Sequence, residues 1–299
     1  MSAVFHTAAL IPNTAKHIPP GLVNNLVVRL HEAGCTVKTP FSDAPPHCLV
    51  CVTDDELFDG ADIICVLGGD GSIIDAARRS IGRGIPIVGI NCGRLGYLAE
   101  IEINELSLID QILAGSGTVE ERIMLDVRIL RAGGETVFAK PVLNDAVLSN
   151  GPIPRLLSME LFCDGVLAEK CFADGIIFST PTGSTAYSLS AGGPVLDPCL
   201  DCISFTPICP QRMTSRPVIF SGASVLEMRN VNCRENRIYL SLDGHDCYEL
   251  HSGDTVQVRR SDCKTSLIRL KNGGFLGALR RKLSNSAVNG GNNEDETTS

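Results

Sequence analysis

A short apolar run that stops abruptly at a glycine-bracketed acid, Ile63-Ile-Cys-Val-Leu-Gly-Gly-Asp-Gly-Ser72, constrains this chain more than any other stretch. Ile63 to Leu67 is rich in β-branched residues and bounded by turn formers, the pattern of a strand buried on both faces of a parallel sheet. Asp70 then falls at the strand's carboxyl end, where open α/β sheets bind ligands. Gly68, Gly69 and Gly71 take side chains away from that place and let backbone amides approach a phosphate. Ser72-Ile-Ile-Asp-Ala-Ala-Arg-Arg79 follows with helical spacing, so Ser72 is expected to cap a helix whose positive end points the same way. Asp70 is the one chemical group left there. It can take a proton from an attacking hydroxyl, hold a metal ion that bridges phosphates, or simply cap its own helix in a Gly/Asp turn.

The surrounding pattern predicts an α/β unit. Ala8-Ala-Leu-Ile11 reads as a strand, and Leu22, Val23, Leu26, Val27 and Leu30 recur at helical spacing until Gly34; Cys35-Thr-Val37 then begins another strand. Ile85-Pro-Ile-Val-Gly-Ile-Asn91 reads as a third parallel strand beside Ile63–Leu67, and it too runs into glycines, at Asn91-Cys-Gly-Arg-Leu-Gly-Tyr-Leu98. Two such strand ends side by side make a crevice wide enough for a nucleotide. A helix from about Glu105 to Ala114, capped by Asn104, closes this unit, with Gly115-Ser-Gly117 as a hinge.

Beyond the hinge the period changes to that of strands. Asp126–Arg131, Leu156–Phe162 and Gly165–Lys170 carry it, with a hairpin turn at Asp164-Gly165; Ile238–Leu242, Thr255–Arg259 and Ser266–Leu270 continue it. The expected fold class is therefore α/β plus β: an α/β domain over residues 1–117, a β-rich domain over 118–275, a cleft between them, and a tail at 276–299. The Asn/Gly/Ser/Glu-rich composition predicts disorder after about residue 284.

Charge and cysteine content narrow the function. Lys+Arg 26 against Asp+Glu 34 gives a formal charge of −8, and the basic residues are scattered apart from Arg280-Arg281-Lys282, so neither a nucleic acid nor an anionic membrane is expected as partner. No apolar run is long enough to span a membrane and the N-terminus lacks the pattern of a signal peptide, which points to the cytoplasm. Cys48/Cys51 and Cys199/Cys202 have Cys-x-x-Cys spacing, but most of the 13 cysteines sit in apolar runs and are read as reduced core thiols. No side chain is assigned as a metal ligand.

The most distinctive stretch is Asp174-Gly-Ile-Ile-Phe-Ser-Thr-Pro-Thr-Gly-Ser-Thr-Ala-Tyr-Ser-Leu-Ser-Ala-Gly-Gly-Pro194, in which an apolar strand gives way to small and hydroxylated residues. Close-set Ser and Thr hydroxyls suit sugar hydroxyls and phosphates, and Ala186, Tyr187 and Leu189 distinguish the run from a flexible linker. Tyr187 can stack on a base or pack in the core.

With these residues in place, the chain resembles the bacterial NAD kinases, which phosphorylate the adenosine 2′-hydroxyl of NAD. The likeness runs from about residue 60 to 275. It rests on Gly68-Gly-Asp-Gly71, Asn91-Cys-Gly-Arg-Leu-Gly-Tyr-Leu-Ala-Glu100, Leu143-Asn-Asp145, Asp174 to Pro194, Thr206-Pro-Ile-Cys-Pro210 with Arg216-Pro217, and Leu242-Asp-Gly244. The resemblance implies an N-terminal Rossmann-like domain, a C-terminal β-sandwich-like domain, and a homodimer or homotetramer whose subunit contacts help complete the NAD site. It implies Asp70 as general base, and Asn144 and Asp145 on the adenine and its ribose, with Asp145 standing for a family Glu. Thr182 and Tyr187 would lie on the adenine side, and Asp174, Thr185, Ala186 and Ser190 on the nicotinamide-ribose side. Asp243 would lie near the reacting centre, with His245 replacing a family Gln. ATP, or inorganic polyphosphate, would be the donor, accompanied by magnesium. Without a separate Walker A loop, the donor phosphates fall to Gly68, Gly69, Gly71 and Ser72 with Arg78, Arg94 or Lys170, of which Arg94, between two strand-end glycines, is favoured. Two other readings remain. One is a lipid kinase of the diacylglycerol or sphingosine type, sharing only residues 68–72; the other is a non-catalytic dinucleotide sensor, which would tolerate loss of Asp70.

Overall fold

Strands that bury both faces need continuous apolar sequence, and such runs form the centre of the first of two compact units in the computed structural model. The structure describes residues 4–14, 18–19, 21–93, 96–151, 156–231, 237–271 and 274–289. One unit comprises Met1–Glu120 with Ser266–Ser299, and the other Glu121–Thr265.

The first unit contains β1 (Thr7–Pro12), α1 (Leu22–Glu32), β2 (Thr36–Thr39), β3 (Cys48–Val50), α2 (Asp54–Phe58), β4 (Ile63–Gly68), α3 (Asp70–Arg79), β5 (Ile87–Asn91), β6 (Ile101–Glu102) and α4 (Leu108–Leu113). These strands pair in parallel in the order β3-β2-β1-β4-β5-β6. The order reverses between β1 and β4, the switch point at which doubly wound sheets bind ligands. Ile63, Cys65 and Leu67 of β4 pack in one cluster with Leu22, Leu26 and Leu30 of α1 and Ile109, Ile112 and Leu113 of α4. Ile64 and Val66 alternate to the opposite face and are also fully buried.

The second unit is two antiparallel layers. It holds β7 (Thr118–Leu130, its first residues in the first unit), β8 (Thr136–Val142), β9 (Asp145–Asn150), β10 (Leu157–Cys163), β11 (Val166–Ala173) and β12 (Gly175–Ser179), then the short helix α5 (Tyr187–Ser190). Next come β13 (Cys202–Ile208), β14 (Val218–Ser221), β15 (Leu226–Asn230), β16 (Ile238–Leu242), β17 (Asp246–Leu250) and β18 (Thr255–Arg269). One sheet runs β14-β13-β12-β9-β16-β17. Its inward residues Ala146, Leu148, Ile176, Phe178, Ile203, Phe205 and Leu240 share a core with Leu125, Met159, Leu161, Met228, Val256 and Val258 of the other layer. This is the β-sandwich packing expected of period-2 sequence buried on one face.

Four local features differ from the sequence reading. The helix expected over 105–114 is a 3₁₀ turn (Ile103–Glu105) followed by α4, because the Glu105 carboxylate accepts the Glu102 N–H (3.1 Å) and closes a separate turn. β3 and α2, too short to show a period, went unread; α2 starts from a capping box of Thr53 and Glu56. Where the reading kept 118–275 together, the chain from Ser266 on groups with the first unit, and Leu267 pairs in parallel with Ile87 of β5. Finally, α6 (Gly274–Asn289) carries helical backbone past about residue 284, from which disorder was expected, and residues 290–299 lie outside the described ones. Its contacts depend on Phe275 and Ala278 at helical spacing, which the Asn/Ser/Gly composition of the tail obscures.

Phe178 and Phe205 lie with ring centroids 5.6 Å apart, both fully buried between the layers of the second unit. Phe178→Ala is expected to cost about 3–5 kcal/mol, read as a lower urea midpoint with an unchanged denaturant slope.

Candidate active site

Asp70 does not do what a helix-capping acid does. The cap of α3 is Gly69, Asp70 is the first helical residue, and Ser72 lies inside the first turn with no capping bond from its side chain. The expectation that Ser72 caps the helix is therefore corrected: Ser72 Oγ instead accepts Asn13 Nδ2 at 2.7 Å. The carboxylate of Asp70 reaches across to the loop after β5, where it accepts the backbone N–H of Tyr97 (2.8 Å) and of Leu98 (3.0 Å). Gly96 makes that approach possible, because a Cβ built there would overlap the Asp70 carboxylate.

The same two residues are held from the other side. Arg269 donates to the carbonyls of Leu98 (2.9 Å) and Tyr97 (3.4 Å), and its guanidinium also pairs with Glu100 (3.4 Å) and Glu120 (3.1 Å). Glu100 in turn accepts the N–H groups of Leu270 and Lys271 at 2.9 and 2.6 Å. Asn13, at the end of β1, donates its N–H to the Leu67 carbonyl (2.8 Å), and Cys92 donates to Gly68 (3.0 Å). The three strand ends β1, β4 and β5 are thereby tied around Gly68, which itself packs on Ser72 and Asn13. Sequence reasoning missed Asn13, Glu100 and Arg269, although an Asn placed directly after an apolar strand was a readable signal for the first.

In the second unit the predicted dinucleotide residues gather at one end of the sheet, except Asp174. Asp243 sits in a tight turn with φ 48°, followed by Gly244 at 71°. Its carboxylate accepts the N–H groups of Leu143 (2.8 Å), Asn144 (2.8 Å) and Asp145 (3.0 Å). It therefore shapes the Leu143–Asp145 turn, while His245 is an exposed residue of the same hairpin. Thr180 locks onto that turn as well, its N–H on the Asn144 carbonyl (2.9 Å) and its hydroxyl on the Leu143 carbonyl (2.6 Å).

The hydroxyls of the Ser/Thr stretch divide into two groups. Thr180, Ser184 and Ser188 are fully buried and hydrogen-bonded within the fold: Ser184 Oγ to the Pro181 carbonyl at 2.7 Å, Ser188 to Thr206 at 3.0 Å. Thr185 and Ala186 are half-buried, and Tyr187 and Ser190 are exposed on α5. Thr182 is buried, and its hydroxyl accepts from Arg122 (3.3 Å), the largest side chain of the fold to be almost wholly enclosed. Asp174 is exposed at the opposite end of β12 from Thr182.

Of the cations proposed for donor phosphates, Arg78 pairs with Asp75 on its own helix (2.6 Å) and Lys170 with its cross-strand neighbour Glu160 (2.9 Å). Arg94 lies outside the described residues. The cysteines behave as hydrophobes where they are enclosed: burial pushes the thiols of Cys65 and Cys171 up to about 12. Among the described residues no helix is long and apolar enough to cross a membrane.

Asp145 is the electrostatic exception. It is 6% exposed, and burial, with the neighbouring Asp243, pushes its carboxyl up to about 7. Burial also raises Asp243, opposed by its three backbone N–H partners. Asp145 stands in ladder register with Ser179, which stands opposite Ser204; both hydroxyls are buried and without a hydrogen-bond partner. The three form a polar row on the sheet face turned away from the core.

Comparison with known proteins adds the following. The model described as the ATP-NAD kinase N-terminal domain matches residues 32–116, and that described as the ATP-NAD kinase C-terminal domain matches residues 143–270. The NAD kinase of Geobacter metallireducens is 43% identical over 233 residues, covering 78% of this chain and 82% of that one. The NAD kinase of Thiobacillus denitrificans is 39% identical over 287 residues, covering 95% and 98%. Among solved structures, an NAD kinase from Archaeoglobus fulgidus in complex with ATP superposes with a TM-score of 0.72 at 25% identity, covering 93% of this chain and 98% of that one. Yeast NADH kinase complexed with NADH superposes with 0.84 at 23% identity, covering 98% and 90%.

The raised carboxyl of Asp145 gives stability a definite pH dependence. Between about pH 4 and 7 the folded chain keeps a proton that the unfolded chain releases, so stability falls as pH rises through that window and levels off above it. Asp145→Asn removes this loss, on the order of 2–4 kcal/mol for a shift of this size. Urea unfolding at pH 5, 6, 7 and 8 is expected to show a declining midpoint for the parent and a flatter profile for the variant.

Proposed function

The chain belongs to the ATP-NAD kinase family, and from that premise we propose the roles its residues take as the terminal phosphoryl group of ATP passes to the adenosine 2′-hydroxyl of NAD. Asp70 is the general base. The observation that carries this is the pair of N–H bonds from Tyr97 and Leu98. They fix the direction of the carboxylate at the carboxyl end of β4 and occupy two of its roughly four acceptor positions. An acceptor held in this way takes the 2′-hydroxyl proton while the 2′-oxygen attacks the γ-phosphorus; the bond from that phosphorus to the β–γ bridging oxygen breaks and ADP leaves. The amides of Gly68, Gly69 and Gly71 and the first turn of α3 attract the donor's phosphates.

A divalent ion such as magnesium fits this donor set. Phosphate oxygens and the remaining acceptor positions of Asp70 are hard ligands of the kind magnesium takes. The ion, bound with ATP, supplies charge neutralisation on the phosphates. The chain's own part is to aim the base and exclude water from the loop.

Asn144 and Asp145 hold the adenine and its ribose, and Thr182 and Tyr187 line the adenine side. Thr185, Ala186 and Ser190 take the nicotinamide ribose. Asp243 acts one step removed, by holding the turn that presents Asn144 and Asp145. The cytoplasm, where both ATP and NAD are present, is the compartment this reading assigns.

Asp174 gives the reading a quaternary consequence. It is exposed at the far end of β12 from Thr182, and five strand residues span roughly 17 Å. It therefore serves a dinucleotide held by Thr185 and Ser190 of a second copy in a homodimer or homotetramer. The exposed Val218 and Ile219 on edge strand β14 support such self-association.

Asp70→Asn is expected to lower kcat for NADP formation by about 10²–10⁴-fold, with the Kd for NAD within about threefold of the parent; a kcat within tenfold of the parent would refute the base assignment. Mixing Asp70→Asn and Asp174→Ala chains after unfolding and refolding together is expected to restore activity that neither variant has alone. Activity no higher than the sum of the two would remove Asp174 from a neighbour's site.

A further inference from the structure

Buried hydroxyls and carboxyls almost always find a hydrogen-bond partner, because an unpaired one forfeits its contacts with water. Most of the Ser/Thr stretch obeys this: Thr180, Ser184 and Ser188 are each bonded within the fold. Ser179 and Ser204 are not. Both are fully buried, and neither hydroxyl has a partner among the described residues. Asp145 is 6% exposed, and its carboxyl likewise makes no hydrogen bond among them.

These three groups are neighbours. Asp145 of β9 stands opposite Ser179 of β12, and Ser179 opposite Ser204 of β13. Residues directly opposite in an antiparallel pair share a face, with Cβ atoms about 4.5–5.5 Å apart. Ala146, Phe178 and Phe205 alternate into the core, so the row lies on the other face. There the chain after Ser179 packs over the sheet: Ser188 meets Thr206, two residues along β13 from Ser204, at 3.0 Å. The same covering stretch carries Thr182, Thr185, Ala186 and Tyr187, assigned above to the dinucleotide. A polar row therefore runs inward from Asp145, beneath the residues that take the ligand. The two serine hydroxyls do not meet each other. A water, which ordinarily makes about three hydrogen bonds in a buried site, can satisfy all three groups at once. Burial, with Asp243 beside it, pushes the Asp145 carboxyl up to about 7, and His245 in turn acts on Asp243. A water both donates and accepts, so it serves this carboxyl in either protonation state.

We propose that Ser179 and Ser204 are positioning residues for the dinucleotide site: their hydroxyls hold a water that bonds the Asp145 carboxyl and fixes its direction toward the adenosine ribose. The assignment rests on the reading above in which Asp145 holds that ribose. Neither serine touches the substrate. They act through the Asp145 side chain, as Asp243 and Thr180 act through the backbone of the Leu143–Asp145 turn.

Ser179→Ala and Ser204→Ala are each expected to raise the KM for NAD about three- to tenfold, with kcat and the KM for ATP within about twofold, the signature of lost ground-state binding. The serines share one water, so the double variant is expected to be no worse than either single one. In an Asp145→Ala background, Ser204→Ala is expected to have no further effect. An equal rise there, or a parental KM in both single variants, would overturn the proposal. The KM for NAD should also bend with pH as Asp145 titrates, and loss of a hydroxyl donor to the ionised carboxyl moves that bend upward in the Ser204→Ala enzyme; a bend that stays in place counts against the role. Because the variants can fail to fold, a crystal structure of the parent protein provides a second test. The expected result is a water within hydrogen-bond distance of Ser179 Oγ, Ser204 Oγ and the Asp145 carboxyl. Hydroxyls that bond each other or backbone carbonyls directly would equally refute the assignment. Asp145→Ala with the parental KM for NAD would defeat the ribose reading itself, whereas a raised KM in that variant with parental values in both serine variants defeats this proposal alone.

Discussion

The grip of the Asp70 carboxylate on the N–H groups of Tyr97 and Leu98 is the interaction on which the first unit's functional end depends. Hydrogen bonds to a charged group contribute about 1.5–3 kcal/mol each, more than most side-chain contacts, and they join two loops that the parallel sheet would otherwise leave apart. The consequence spreads outward. Gly96 has to lack a side chain for the carboxylate to fit, and Arg269 holds the opposite, carbonyl side of the same two residues. Glu100 completes the arrangement by accepting the chain just beyond Arg269. One acid therefore orders a loop, and that loop in turn aims the acid.

The second unit solves a related problem by a different route. A sheet end crowded with buried polar side chains cannot leave its own backbone unsatisfied, because buried unpaired N–H and C=O groups are costly. Asp243 takes three N–H groups of the Leu143–Asp145 turn, and Thr180 takes two carbonyl-side bonds of the same turn. What remains for a ligand is the outer set of the Ser/Thr stretch. Asp145 is left beside a second carboxylate in a dry place, which is why it holds its proton to about pH 7.

For phosphoryl transfer these arrangements matter because the protein contributes mainly position and charge. In the roles proposed above, a base free to rotate, or a turn at Leu143–Asp145 free to flex, would lose the reaction to solvent. The structure puts rigid backbone bonds on the groups that have to be aimed.

Much of this was legible in the residues alone. Ile63–Leu67 and Ile87–Ile90 have the composition that only a doubly covered parallel strand tolerates, and the period-2 runs after residue 118 suit only a sheet with one buried face. The glycines around Asp70 marked a place where backbone must come close, a local requirement that sequence records directly. What sequence withheld was long-range. Asp70 and Tyr97 are 27 residues apart, Asp243 and Asn144 are 99 apart, and Arg269 and Leu98 are 171 apart. Hydrogen bonds over such separations leave no period behind them. The helix at the start of the tail was hidden for a related reason: its composition reads as a solvated chain, whereas Phe275 and Lys282 both lie against Tyr97 from one face of α6. Local propensity and burial pattern determine which elements form; which carboxylate meets which amide is decided by where the folded strands bring their ends.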